Sequence, residues 1–153
     1  MTSPSRPAID LYAYLPFGLI AVANRVSRSA SRLYRERFGV GINAWRVLAN
    51  VRATPGVTAQ ALCRQSGLDK GAVSRAVAAL HAAGHLAGAG DSRNRPLHLS
   101  PAGDALHDRI IAVAFERERA LLAGFDADER RVLLGFVARL NANAAAMMMA
   151  DDD

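Results

Sequence analysis

The side chains able to do chemistry here are cations. Of 19 basic residues, all but Lys70 are arginine. A guanidinium cannot trade protons near neutral pH, but it grips phosphate oxygens and guanine edges in a planar fork. Arginine is as frequent in the acidic part of the chain as in the basic part, so its abundance alone says little. The sign split says more. Residues 1–100 hold 13 basic and 4 acidic side chains, a net +9, whereas residues 101–153 hold 6 and 10, a net −4; together they restore the chain's +5. A basic working surface is therefore expected on the first part.

Catalytic constellations are missing from the pattern. The histidines are His81, His85, His98 and His107, and Cys63 stands alone. No HExxH, glycine-rich phosphate loop or nucleophile elbow occurs. His81 and His85 have the i,i+4 spacing of a helical metal pair, but His85 falls where the helix should have ended. Solvated or core histidines explain them more simply, so no enzyme, cofactor or metal is expected. One cysteine makes neither an internal disulfide nor a cysteine-rich zinc site.

The elements that must position the cations follow from periodicity. Three prolines before Phe17 mark residues 1–16 as an arm. From Phe17 to Phe38, Leu19, Val22, Val26 and Leu33 recur at helical steps, with Ala30 and Tyr34 beside them. Asn43 can cap a second helix carrying Trp45, Leu48 and Ala49, broken by Thr54-Pro55-Gly56. Thr58 caps a third, which stops near Ser66-Gly67. Asp69 caps a fourth that carries Val73, Ala76, Val77 and Leu80 on one face and ends near Gly84. Two short helices around a tight glycine-containing turn, the second apolar on one side only, form a helix-turn-helix pattern. The second helix's other face carries Gly71, Ser74, Arg75, Ala78 and Ala82, flanked by Lys70. Small residues let such a face approach a groove, where Arg75 and Ser74 can reach phosphates or base edges.

His85–Gly90 and Leu97–Leu99 are short strand candidates, joined by Asp91-Ser92-Arg93-Asn94-Arg95-Pro96. A hairpin tip with two arginines directly after a helix-turn-helix is placed to enter a minor groove, whose negative potential attracts arginine. Pro101 then opens a long helix at the position where no donor is needed. Its stripe is Leu106, Ile110 and Val113, reaching towards Leu121. Asp126 and Glu129 cap a final helix carrying Val132, Leu133, Phe136, Val137 and Leu140, with Met147–Met149 and the terminal aspartates as a fraying end.

Hydrophobic residues make up 51% of the chain, which excludes wholesale disorder. No apolar run approaches the ~20 residues of a membrane span. The opening MTSPSRP lacks the order of a secretory signal, so a cytoplasmic location and no membrane partner are expected.

Between about Leu15 and Leu140 the chain resembles the MarR family of winged helix-turn-helix transcriptional regulators. The matching words are INAWRVL, TAQALCRQSGLDKGAVSRAVAALHAAGHL and DSRNRPLHLSPAG. Their order and spacing make the resemblance specific. It implies a mainly α fold with a small β-hairpin wing, in a single MarR-like domain over residues 1–153. Helices in 17–38 and 101–146 would dimerise, and 42–100 would be the winged helix-turn-helix module. It also implies a homodimer on a pseudo-palindromic double-stranded DNA operator, acting in most members as a ligand-responsive repressor. By position, Thr58 and Gln60 would lie near phosphates. Lys70, Gly71, Ser74 and Arg75 match the recognition-helix surface, and Arg93, Asn94 and Arg95 match the wing tip. Ala78 and Ala82 stand where longer polar residues would add base contacts, and Pro96 stiffens the wing's return.

The family's usual effector pocket lies between the dimer helices and the winged module. Tyr12, Tyr14, Phe17, Trp45 and His98 could line it here, which points to a small aromatic carboxylate or phenol, although plain core is the simpler role for such aromatics. A thiol- or metal-responsive regulator of the same fold is the alternative, as is a winged module that binds protein rather than DNA. Thiol sensors of the family carry their cysteine near the start of the first helix, which this chain lacks, and the +9 first part opposes the protein-binding reading. The apolar stripes of 106–121 and 132–140 exceed what one small module covers, which independently calls for a dimer.

Overall fold

The computed structural model describes residues 9–11, 13–87 and 95–151. Six helices follow one another: α1 (Leu15–Phe38), α2 (Ile42–Ala53), α3 (Ala59–Ser66), α4 (Lys70–Ala82), α5 (Pro101–Leu121) and α6 (Ala127–Asp151). The chain divides into two compact units, Met1–Ile111 and Ala112–Asp153.

In the first unit, the core forms where the apolar stripes of α2, α3, α4 and the start of α5 converge. Val47, Leu48, Val51, Leu62, Val73, Leu80 and Ile110 are fully buried. Each contributes roughly 1.5–3 kcal/mol relative to exposure. Helix starts follow local chemistry. The Ala61 amide donates to Thr58 Oγ1 at 3.2 Å, and the Ala72 amide donates to Asp69 Oδ1 at 2.8 Å. Both caps stand where the sequence places them, each satisfying one of the donors a helix start leaves unpaired. Asn43 is different: it lies inside α2, whose N-cap is Gly41, with no side-chain bond.

Two isolated antiparallel bridges follow, Val57 with Leu97 and Leu86 with Leu99. Among the described residues there is no longer strand, so the expected hairpin appears only at its base; residues 88–94 lie outside those described. Ser100 locks this base to α5. Its hydroxyl donates to the Gly84 carbonyl at 2.6 Å and accepts from the Gly103 amide at 3.0 Å. Its own amide donates to the His85 carbonyl at 3.1 Å.

Burial on α1 departs from the expected stripe. Only Ala30 and Tyr34 are buried. Leu19 and Val22 remain 45% and 51% exposed, because nothing in the single chain covers the first half of that helix.

In the second unit, the end of α5 and all of α6 bury no side chain among the described residues. The start of α6 is a reciprocal capping box. The Glu129 amide donates to Asp126 Oδ1 and the Asp126 amide to Glu129 Oε2, each at 2.9 Å. Arg130 closes the preceding turn by donating to the Phe125 and Leu122 carbonyls at 3.0 and 3.2 Å. Two expectations are corrected here. The methionine run is helical, since α6 continues to Asp151. Over Ala127–Ala150, α6 is also long and apolar enough to cross a membrane by length and composition, an 18-residue stretch of it having a mean hydropathy of 1.4. Scattered alanines and three methionines raise that average without forming an unbroken apolar run.

Candidate nucleic-acid interface

Helix α3, the turn Gly67–Asp69 and α4 follow one another directly. Gly67 has φ +63, the left-handed conformation a glycine adopts without strain, and this ends α3 sharply enough for α4 to begin three residues later. Helix α4 buries Ala72, Val73, Ala76 and Leu80. That registers the opposite face outward: Lys70, Ser74, Arg75, Ala78 and Ala82 are exposed, and Gly71 is half-buried. Thr58 and exposed Gln60 lie at the start of α3, Thr58 with its hydroxyl engaged in the cap. The sequence-derived residues of this module thus divide between the start of α3 and the first half of α4.

Arg75 does not point straight outward. A methyl group built on Gly71 would stand 3.1 Å from Arg75 Nη1 and 3.2 Å from Asp69 Oδ1, so the guanidinium lies back along the first turn of α4. Glycine leaves that space open. Of the proposed wing residues, Arg95 is exposed, whereas Arg93 and Asn94 lie outside the described residues.

A residue missed by sequence reasoning ties α2 to the end of α3. Arg46 of α2 donates to the Ser66 carbonyl at the C-terminal end of α3, and the Asn50 side chain donates to the Arg46 carbonyl at 2.7 Å. Burial pushes the Arg46 guanidinium below the usual arginine range, because desolvation penalises its charge. No sequence motif marks this bond, which joins residues 20 positions apart.

The candidate effector aromatics fall into three groups. Tyr14 and Phe17 meet edge to face, ring centres 4.9 Å apart, at the exposed start of α1. Trp45 packs between Tyr34 and buried His107, at 6.1 and 5.4 Å. His98 is exposed against the Gly56 turn, where a methyl on Gly56 would stand 3.7 Å from its Cε1. Tyr12 lies outside the described residues. Cys63 is half-buried on α3. The described residues include no group of three or more histidine, cysteine or acidic side chains that could hold a metal.

This arrangement, two short helices around a glycine turn followed by bridged segments and a long helix, is that of winged-helix DNA-binding transcription regulators. Within that class, residues 38–94 match the MarR family model, as the sequence words anticipated. A MarR/EmrR family transcriptional regulator from Acinetobacter sp. ADP1 is 26% identical with a TM-score of 0.83, over 90% of this chain and 99% of that one. The DNA complex of MepR from S. aureus is 14% identical with a TM-score of 0.73, over 89% of this chain and 99% of that one. The PcaV regulator from Streptomyces coelicolor, in complex with its natural ligand, is 24% identical with a TM-score of 0.70, over 92% and 99%. No curated protein matches the sequence.

Proposed function

We propose that the chain is one MarR-like domain that works as a cytoplasmic, ligand-responsive repressor, binding a pseudo-palindromic operator as a homodimer. Helix α4 enters the major groove, and a hairpin wing around Arg93, Asn94 and Arg95 enters the adjoining minor groove. The observation that carries this reading is the exposed edge of α4, where Lys70, Ser74 and Arg75 alternate with Gly71, Ala78 and Ala82. Cations and a hydroxyl among small residues suit close approach to base edges. Thr58 and Gln60 hold backbone phosphates beside it. An aromatic effector, drawn to Tyr12, Tyr14, Phe17, Trp45 and His98, shifts the dimer away from its DNA-binding form. Ligand and DNA complexes among similar folds support that division of labour.

The test is affinity for operator and scrambled DNA across a salt series. Arg75→Ala is expected to cost roughly 1–3 kcal/mol per half-site and to change which bases matter. Arg93→Ala is expected to weaken all sequences alike and to shrink the dimer's log–log salt slope by about 1.8, one phosphate equivalent per subunit. Equal loss on both DNAs from Arg75→Ala would make that residue a phosphate clamp. No binding by the wild-type protein at low salt would end the reading.

A further inference from the structure

A cleft of about 230 Å³ opens between the last turns of α1, the start of α2 and the recognition face of α4. Its polar lining is Ser31, Arg35, Asn43 and Arg75. No aspartate or glutamate lines it. Among the described residues, neither the Arg35 nor the Arg75 guanidinium has a salt bridge or hydrogen bond, and both residues are exposed. Two guanidinium groups from different helices thus share one cavity with no carboxylate in its lining, although Asp69 stands near Arg75 on the far side, beside Gly71. Arg35 and Ser31 also stand over Gly41, since a methyl there would lie 3.8 Å from Arg35 Nη1 and 3.7 Å from Ser31 Oγ. Gly41 offers no side chain to the amides that open α2, so those donors are left for another acceptor. At ~30 Å³ per water-sized group, the volume admits a tetrahedral or planar oxyanion.

We propose that this cleft is an oxyanion seat, taking a phosphate or carboxylate group between Arg35 and Arg75 above the start of α2. The occupant is either a phosphodiester of the DNA backbone or a free small oxyanion, and the chemistry is shared: a delocalised negative charge met by two planar forks and backbone amides. Because Arg75 also belongs to the recognition face, the occupant sets where its guanidinium points. A free oxyanion there holds Arg75 away from base edges and so weakens operator binding. That consequence rests on the proposed function; the seat itself does not.

The experiment titrates isotope-labelled protein with inorganic phosphate against chloride at constant ionic strength and reads the amide resonances of Ile42, Asn43 and Ala44. Saturable shifts are expected in the wild type and lost in Arg35→Gln. Gly41→Asp should lose them as well. Gly41 has φ −84 and ψ 171, extended backbone that an aspartate N-cap adopts, so the variant's own carboxylate caps α2 beside Arg35, and an unchanged or raised melting temperature shows that folding is intact. Wild-type shifts that are absent, or that persist undiminished in both variants, overturn the seat.

DNA titrations in chloride distinguish the occupants. If Arg35→Gln lowers the log–log salt slope by about 0.9 per subunit, the backbone phosphate is the occupant. If the slope holds but phosphate no longer inhibits DNA binding, the occupant is a free oxyanion. Phosphate-dependent shifts in a wild type that binds no DNA would sink the regulator reading and leave the seat standing.

Discussion

Gly71 and Gly103 show how a missing side chain can be a positioning device. Glycine in a helix costs roughly 0.8–1 kcal/mol against alanine, yet Gly71 leaves the space into which Arg75 folds. Gly71→Ala is expected to hold or raise the melting temperature while lowering operator affinity several-fold, because its methyl displaces the guanidinium. Calorimetry beside an operator titration checks both halves; unchanged affinity would mean that the resting pose of Arg75 has no part in binding. Gly103 is the opposite case. Its added methyl would overlap the His85 carbonyl oxygen, a backbone atom that cannot swing aside. Gly103→Ala should therefore destabilise by at least the ~1–3 kcal/mol typical of overpacking, read as a lower urea midpoint. Gly18 makes the control, since a methyl there meets nothing within 4 Å and alanine should add ~0.5–1 kcal/mol.

At the scale of elements, Arg46 ties α2 to the end of α3. Arg46→Ala leaves the Ser66 carbonyl without its charged donor, and a hydrogen bond to a charged group is worth about 1.5–3 kcal/mol. The expected result is that loss in chemical denaturation, together with weaker binding to all DNA sequences, because the spacing of α3 and α4 loosens. This bond also marks the limit of what the sequence revealed. Caps are decided within four residues, so Thr58, Asp69 and the Asp126–Glu129 box were legible as written. The exposed face of α4 was legible too, because helical period fixes which side chains leave the core. Asn43 misled because an asparagine near a helix start looks like a cap, whereas Gly41 fills that place with no side-chain bond. Arg46 with Ser66, Gly103 with His85, Trp45 with His107 and His98 with Gly56 depend on neighbours far apart in the chain. Residue types show that such contacts are possible, but only packing selects the partners.

For the whole molecule, the governing fact is how much apolar side chain the single chain leaves in water. Val22, Phe115, Leu134 and Phe136 are between 51% and 66% exposed, and they belong to α1, α5 and α6. Exposed apolar area on this scale marks an interaction surface. Two occupants compete for α6: a second copy of the chain, or a bilayer, since its length and composition admit both. Arg139 lies within that helix. A charge at the bilayer centre costs at least ~2.5–3.5 kcal/mol on insertion scales, and Asn141 and Asn143 within the next turn or so add further polar groups. A second copy carries no such penalty, because an arginine at the rim of a helical interface keeps its head in water. The expectation is therefore a two-fold dimer whose melting temperature rises with protein concentration, as mass action requires. Phe136→Asp places a carboxylate in that surface and should yield folded monomers by sedimentation at micromolar concentration. Operator affinity should then fall to that of a single half-site, while the helix-turn-helix in the other unit keeps its fold. Wild-type monomers at that concentration would remove both the dimer and the palindromic operator. Monomers that also float with lipid vesicles would transfer α6 to the membrane.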